Sequence, residues 1–214
     1  MTEQQSSFNF QIEWAKERLA EMDAALASLE RGARGAQAAA RAKADQALTE
    51  LRKRRDEYQH AMTKGFEAGT TAWAGDKAHL ESQWNRFSAE LSKNVDALGK
   101  QISVQQSMFR DLAAAQRKAW HDAGDELLTA MKDFAAERRA GIEGAVQKMK
   151  VDASQSEAQL QKLMGVGNES WKALNAALSQ SRAAFDHALE AAGDAFKHAT
   201  HQGRGNKAEN PPAQ

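Results

Sequence analysis

Two carboxylate–histidine pairs sit three residues apart, a spacing that puts both groups on one face of a helix: Glu57 with His60, and Asp76 with His79. Helical bundles that hold two metal ions draw such a Glu-x-x-His pair from each of two helices and add two further glutamates. Here the second pair carries aspartate in place of glutamate, and His60 points away from the apolar side marked by Tyr58 and Met62. Both pairs therefore read as solvated polar residues, and no metal site or cofactor is expected. His198 and His201 repeat the spacing at the start of a polar tail and read the same way. No serine, threonine or histidine stands in a nucleophile-elbow context, and no glycine-rich phosphate loop follows a strand. The chain is read as a non-enzyme.

Arg52-Lys53-Arg54-Arg55 is the one dense basic run, and Asp56 and Glu57 follow it directly. Lys+Arg and Asp+Glu are equal at 29 each, so the chain lacks the basic excess of most nucleic-acid binders. Nucleic acid is accordingly an unlikely partner. The chain has no cysteine, which excludes disulfides, thiolate metal sites and cysteine nucleophiles. Neither a secretory leader nor an apolar run of transmembrane length is visible, and a cytoplasmic location is expected.

Helices must carry whatever these residues do. Both prolines, Pro211 and Pro212, lie at the C-terminal end, so nothing inside the chain removes a helix donor. Good helix formers dominate, and strand-favouring Val, Ile and Tyr are scarce. Ile12, Ala15, Leu19, Met22, Leu26, Leu29, Ala33, Ala36 and Ala40 recur at alternating steps of three and four, the pattern of a coiled-coil seam. Beyond residue 50 apolar positions recur every eleven. One column reads Leu51, Met62, Trp73, Trp84, Val95; a second Tyr58, Gly69, Leu80, Leu91, Ile102, Ala113. A third reads Phe87, Leu98, Phe109, Trp120, Met131, Ile142, Ala153; a fourth Leu127, Arg138, Met149, Leu160, Trp171. Eleven residues in three turns match the natural helix closely, so such a stripe runs almost straight.

This predicts an all-α fold: an elongated helical bundle or coiled coil of long amphipathic helices with hendecad repeats. Residues 1–6 would be a flexible N-terminus, with Ser6 or Ser7 capping the first helix. Residues 7–164 would form a long helical region with possible breaks near 31–35 and 65–75. The seam keeps its phase through Arg31–Gly35, which favours a bent continuous helix there. Gly165 would end that region and Asn168 cap a C-terminal helix over 165–199, followed by a disordered tail, 200–214. Helix unbroken over 71–164 would span about 140 Å at 1.5 Å per residue, so its stripe must be covered. The seam residues are the candidate site: Leu80, Trp84, Phe87, Leu91, Leu98, Ile102, Phe109, Trp120, Leu127, Met131 and Phe134. The tryptophans read first as packing between helices, and second as contacts with a surface wet on one side.

The eleven-residue repeats over roughly 40–160 resemble those of exchangeable apolipoproteins and of bacterial phasins on storage granules. They are also similar to the peripheral stalk of rotary ATPases. The segment SWKALNAALSQSRAAFDHALEAAGDAF resembles uncharacterised bacterial coiled-coil proteins. These resemblances imply a structural or interaction protein that self-associates or binds a helical partner, or a peripheral protein of a lipid or granule surface. They carry over no functional residue.

Overall fold

The computed structural model describes residues 3–34, 38–68, 73–98, 102–132, 134, 136–165 and 170–208. Side chains are described throughout these except at 3–9, 39, 68, 73–75, 96–98, 102–103, 136–138 and 200–208. The described residues form six helices: α1 (Glu3–Arg34), α2 (Ala38–Ala68), α3 (Trp73–Leu98), α4 (Ile102–Met131), α5 (Ala136–Gly165) and α6 (Trp171–Ala208). No strand occurs among them.

Cross-helix contacts set the directions. Tyr58 bonds to Ala15 and Arg55 to Asp23, so α2 runs antiparallel to α1. Arg31 pairs with Asp111 and Lys16 with Glu126, so α4 is antiparallel to α1 as well. Arg18 pairs with Asp186 and Arg182 with Glu21, which does the same for α6. The result is a compact up-and-down bundle in which α1 touches α2, α3, α4 and α6. α5 packs most extensively on α6, and α2 on α3. Short connections between antiparallel neighbours are the usual way such bundles close.

The expected helix over 71–164 is instead three helices folded back on one another. The break after α4 has a visible cause. Arg139, in the first turns of α5, donates from Nε to the Phe134 carbonyl at 2.7 Å and from a terminal nitrogen to the Lys132 carbonyl at 2.9 Å. These carbonyls belong to the connection just past α4; the helix's own end is closed by turn amides, Lys132 donating to the Thr129 carbonyl at 3.2 Å and Phe134 to the Met131 carbonyl at 3.1 Å. Phe134 turns inward and meets Phe196 edge to face, with ring centroids 5.4 Å apart. Around 31–35 the bent continuous helix does not form: α1 stops at Arg34 and α2 returns alongside it from Ala38. Gly32 lies against α4, where a Cβ would stand 3.1 Å from Val104 Cγ1. The break expected near 65–75 falls between Ala68 and Trp73.

The ends also differ from the expectation. α1 begins at Glu3, ahead of Ser6 and Ser7, and α6 runs on to Ala208, well into the stretch read as a tail. α5 does end at Gly165, but Ser170 caps α6, accepting from the Ala173 amide at Oγ and the Leu174 amide at its carbonyl. Asn168, the expected cap, lies outside the described residues.

Candidate functional site

The seam residues are brought together as the core. Leu80, Trp84, Phe87, Leu91, Phe109, Trp120, Leu127 and Phe134 are all buried, and Met131 is half-buried against them. The side chains of Leu98 and Ile102 lie outside the described residues. Burying a large side chain contributes about 1.5–3 kcal/mol, and Tyr58, Phe87, Phe109, Phe185 and Phe196 are among those sealed completely. Trp120 meets Phe185 edge to face at 5.1 Å, joining α4 to α6. Trp84 and Phe87 stack at 6.1 Å within α3. Among the described residues, Val151 is the one large apolar side chain left exposed.

The polar candidates fall elsewhere. Glu57, His60, His79 and His198 are exposed, and His79 shares a hydrogen bond with Gln83. No group of three or more His, Asp or Glu able to hold a metal occurs among the described residues. The basic run lies along the α1 side of α2. Arg52 pairs with Glu30, and Arg55 with Asp23 at 2.7 Å, while Lys53 faces solvent.

What the sequence did not announce is a charged cluster inside the bundle. Glu17, Arg18 and Glu21 on α1, Gln116 on α4 and Arg182 on α6 are all more than nine-tenths buried. Arg18 donates to Glu17 at 2.6 Å and to Asp186 at 2.7 Å. Arg182 donates to Glu21 at 2.7 Å and to Ser179 Oγ at 2.8 Å. Gln116 Nε2 donates to the other Glu21 oxygen at 2.9 Å and to the Leu178 carbonyl at 3.1 Å. Each arginine also lies over a tryptophan: Arg18 at 4.8 Å from the Trp14 ring centre, Arg182 at 5.1 Å from that of Trp84. Guanidinium groups suit such sites because they are planar, weakly hydrated and able to fork across two acceptors.

Charge counting explains the protonation of this cluster. Three carboxyls, Glu17, Glu21 and Asp186, face two guanidiniums, so full ionisation would leave one buried negative charge. Burial pushes the Glu17 carboxyl well above the usual carboxylate range, and the nearby Glu21 pushes the same way. Arg18 and Arg182 oppose this without overcoming it. The direction of this shift is towards a protonated Glu17, which would leave the cluster neutral. Burial opposes the charge on Arg18, yet the Glu17 and Asp186 carboxyls hold its guanidinium above its ordinary range. Tyr58 donates to the Ala15 carbonyl at 3.2 Å, and burial raises its phenol.

Comparison with family models, with curated proteins and with solved structures finds no match for this chain. Its function therefore rests on its own geometry.

One hollow borders the charged cluster, and a second is lined by none of the cluster's residues. The first, about 320 Å³, lies among α1, α3 and α6 and is lined by Trp14, Arg18, Glu81, Trp84, Arg182 and Asp186. Its walls are polar, and it is the place where water reaches the cluster's edge at Asp186, whose side chain is 39% exposed. The second, about 350 Å³, runs between α4 and α5 over α6 and has an apolar floor. Chemically, the arrangement does one thing well. A buried ion pair contributes little net stability, but breaking it leaves an uncompensated charge, so it fixes which helices meet and in what register. Glu21 can satisfy Arg182 and Gln116 together only when α1, α4 and α6 stand at one relative height. An apolar seam with alanine at many positions tolerates sliding, and these bonds do not.

Proposed function

We propose that this chain is a non-enzymatic structural and interaction protein that acts through its long amphipathic helices. The observation that carries this reading is where the seam goes. Side chains that repeat along five helices close against one another, and charged residues of both signs cover the outside. A seam closed in this way leaves the outer helix faces as the meeting surface in the resting bundle. Exposed Lys53, Lys64, Lys118, Lys148 and Lys172 are spread over α2, α4, α5 and α6. Cross-linking through these lysines in the native cell, read by mass spectrometry, is expected to join the chain reproducibly to another helical protein or to a second copy. Cross-links confined to within single chains would overturn the reading.

A second reading has its own support. Trp84, Trp120 and Trp171 stand on three different helices, each in an apolar column and each less than a tenth exposed. A bundle that opened would lay them together on a lipid or granule surface, where tryptophan favours the boundary between wet and apolar. Because the rings are already buried, a blue shift in emission is a poor readout. Vesicles of brominated phosphatidylcholine give a direct one, because bromine quenches an indole only on contact. Strong quenching supports surface binding; unchanged emission with no co-sedimentation rules it out. No helix among the described residues is long and apolar enough to cross a membrane.

A further inference from the structure

The ionic tie between α1 and α6 is built unevenly. Glu21 is sealed and receives two donors, Arg182 at 2.7 Å and Gln116 at 2.9 Å. Glu17 is sealed as well, but Arg18 alone donates to it, at 2.6 Å, and its Oε1 receives no hydrogen bond. Asp186 is the third carboxyl. It accepts from Arg18 at 2.7 Å, and its side chain is 39% exposed on the polar hollow among α1, α3 and α6. Arg18 is therefore divided between a carboxyl that is sealed and one that meets water.

Charge decides how Arg18 is divided. Glu17 is surrounded by Arg18 and Glu21 on α1, Tyr58 on α2, and Arg182 and Asp186 on α6. From α4 comes the uncharged Gln116. From α3 comes Glu81, which lines the hollow and is paired with Lys77 at 3.8 Å. With a proton on Glu17, two carboxylates face two guanidiniums, and Arg18 answers Asp186. Burial and the neighbouring Glu21 carboxyl both favour that form. Without the proton, three carboxylates face two guanidiniums, and one negative charge is in excess. Buried excess charge is costly unless it reaches water. Glu17 and Glu21 are sealed, whereas Asp186 has a route through the hollow. Glu17 and Arg18 also share one helix, so their pairing survives when α6 moves away.

We propose that Glu17, Arg18 and Asp186 form a proton-operated latch between α1 and α6. With Glu17 protonated, Arg18 is shared with Asp186 and holds the middle of α6 against α1. When Glu17 gives up its proton to solvent, Arg18 stays with Glu17, Asp186 turns into the hollow and hydrates, and α6 loosens around that position. The Arg182–Glu21 pair is kept, so the opening is local. The latch opens as pH rises and closes as it falls. It depends on neither reading of function.

Hydrogen–deuterium exchange of the 214-residue chain, read by mass spectrometry from about pH 5 to about pH 9, tests this. Glu17→Gln, measured at each pH, cancels the intrinsic pH dependence of exchange. Relative to it, protection of the parent around Asp186 is expected to fall by up to about tenfold per pH unit, the slope for release of one proton. The fall is expected to be larger there than in α2, whose exchange reports the bundle as a whole. Asp186→Asn removes the carboxylate that the latch releases, so its α6 is expected to be loosened at every pH. Parent protection should exceed that of Asp186→Asn at low pH and converge on it as pH rises. This second comparison stands alone should Glu17→Gln fail to fold. The proposal is overturned if the parent keeps a constant ratio to either variant across the range, or if α2 loses as much protection as α6.

Discussion

Replacing Glu21 by leucine removes the acceptor that joins α1, α4 and α6, and its consequence follows from the geometry. The Glu21 side chain is 1% exposed and that of Arg182 is 9% exposed, so little of the lost pairing can be replaced by water when the pair is broken. Arg182 would keep Ser179 at 2.8 Å and the Trp84 face at 5.1 Å, both neutral. Gln116 would keep the Leu178 carbonyl at 3.1 Å. Breaking a buried pair in this way costs about 3–5 kcal/mol. One effect works against it. Without the Glu21 charge, Glu17 ionises more easily and returns part of the lost attraction, because Glu21 is one of the causes that raise it. The expected cost is therefore at the lower end, about 3 kcal/mol, or roughly 6–12 °C in melting temperature for a domain of this size. Arg182→Met should cost a similar amount by stranding Glu21. The double variant should lie within about 1 kcal/mol of the parent, since an apolar replacement of a whole buried pair is close to neutral or stabilising. Urea unfolding followed by far-ultraviolet circular dichroism measures all three. Two single losses below about 1 kcal/mol that simply add would be the behaviour of an exposed pair, and would refute the placement of this cluster in the interior.

Other consequences are equally open to measurement. Phe109→Asp and Trp84→Asp place a charge among sealed apolar side chains and should each lower the melting temperature sharply; unchanged melting in both would remove these residues from the core. Glu17 keeps in the folded state a proton that the unfolded chain releases above its ordinary value of 4.5. This contribution is complete below that value and is lost as pH rises through the higher folded value, so the parent should lose stability with rising pH in that window. Glu17→Gln keeps the neutral shape and should gain on the parent as pH rises; parallel profiles for the two would show that Glu17 is ionised in the bundle. Arg139→Ala removes both hydrogen bonds that tie the α4–α5 connection to α5 and should cost about 1–2 kcal/mol by chemical denaturation. A loss indistinguishable from zero would leave the α4–α5 turn without its stated cause.

Much of the fold was legible because one physical rule governs all six helices: each must turn a continuous apolar face inward. The described side chains of the eleven-residue columns are accordingly buried or half-buried, from Leu51 and Met62 through Trp84 and Phe109 to Leu160 and Trp171. The same rule hid the chain reversals. Phase continuity shows that a face exists, and it does not show whether the helix bearing that face runs on or doubles back. At Lys132–Ala135 there is neither glycine nor proline, and the reversal depends on Arg139 reaching back to two carbonyls and on Phe134 finding Phe196. Gly32 offered a better clue, since a glycine in a helical pattern often marks the close approach of another element. The charged cluster was not legible at all. Glu17, Arg18 and Glu21 look like ordinary surface residues beside the Ala15–Met22 seam. Only the arrival of Arg182, more than 160 positions away in sequence, gives Glu21 its countercharge. A helix touched on several sides has no outer face on which to place charge, and α1 is touched by four others.

Sedimentation velocity of the 214-residue chain tests most directly whether the apolar seam closes within one molecule. A compact particle near the single-chain mass of 23.4 kDa, with the low friction of a globular bundle, is the predicted result. An extended particle of twice that mass, split into single chains by Phe109→Asp, would show that the seam closes between molecules and would contradict this account.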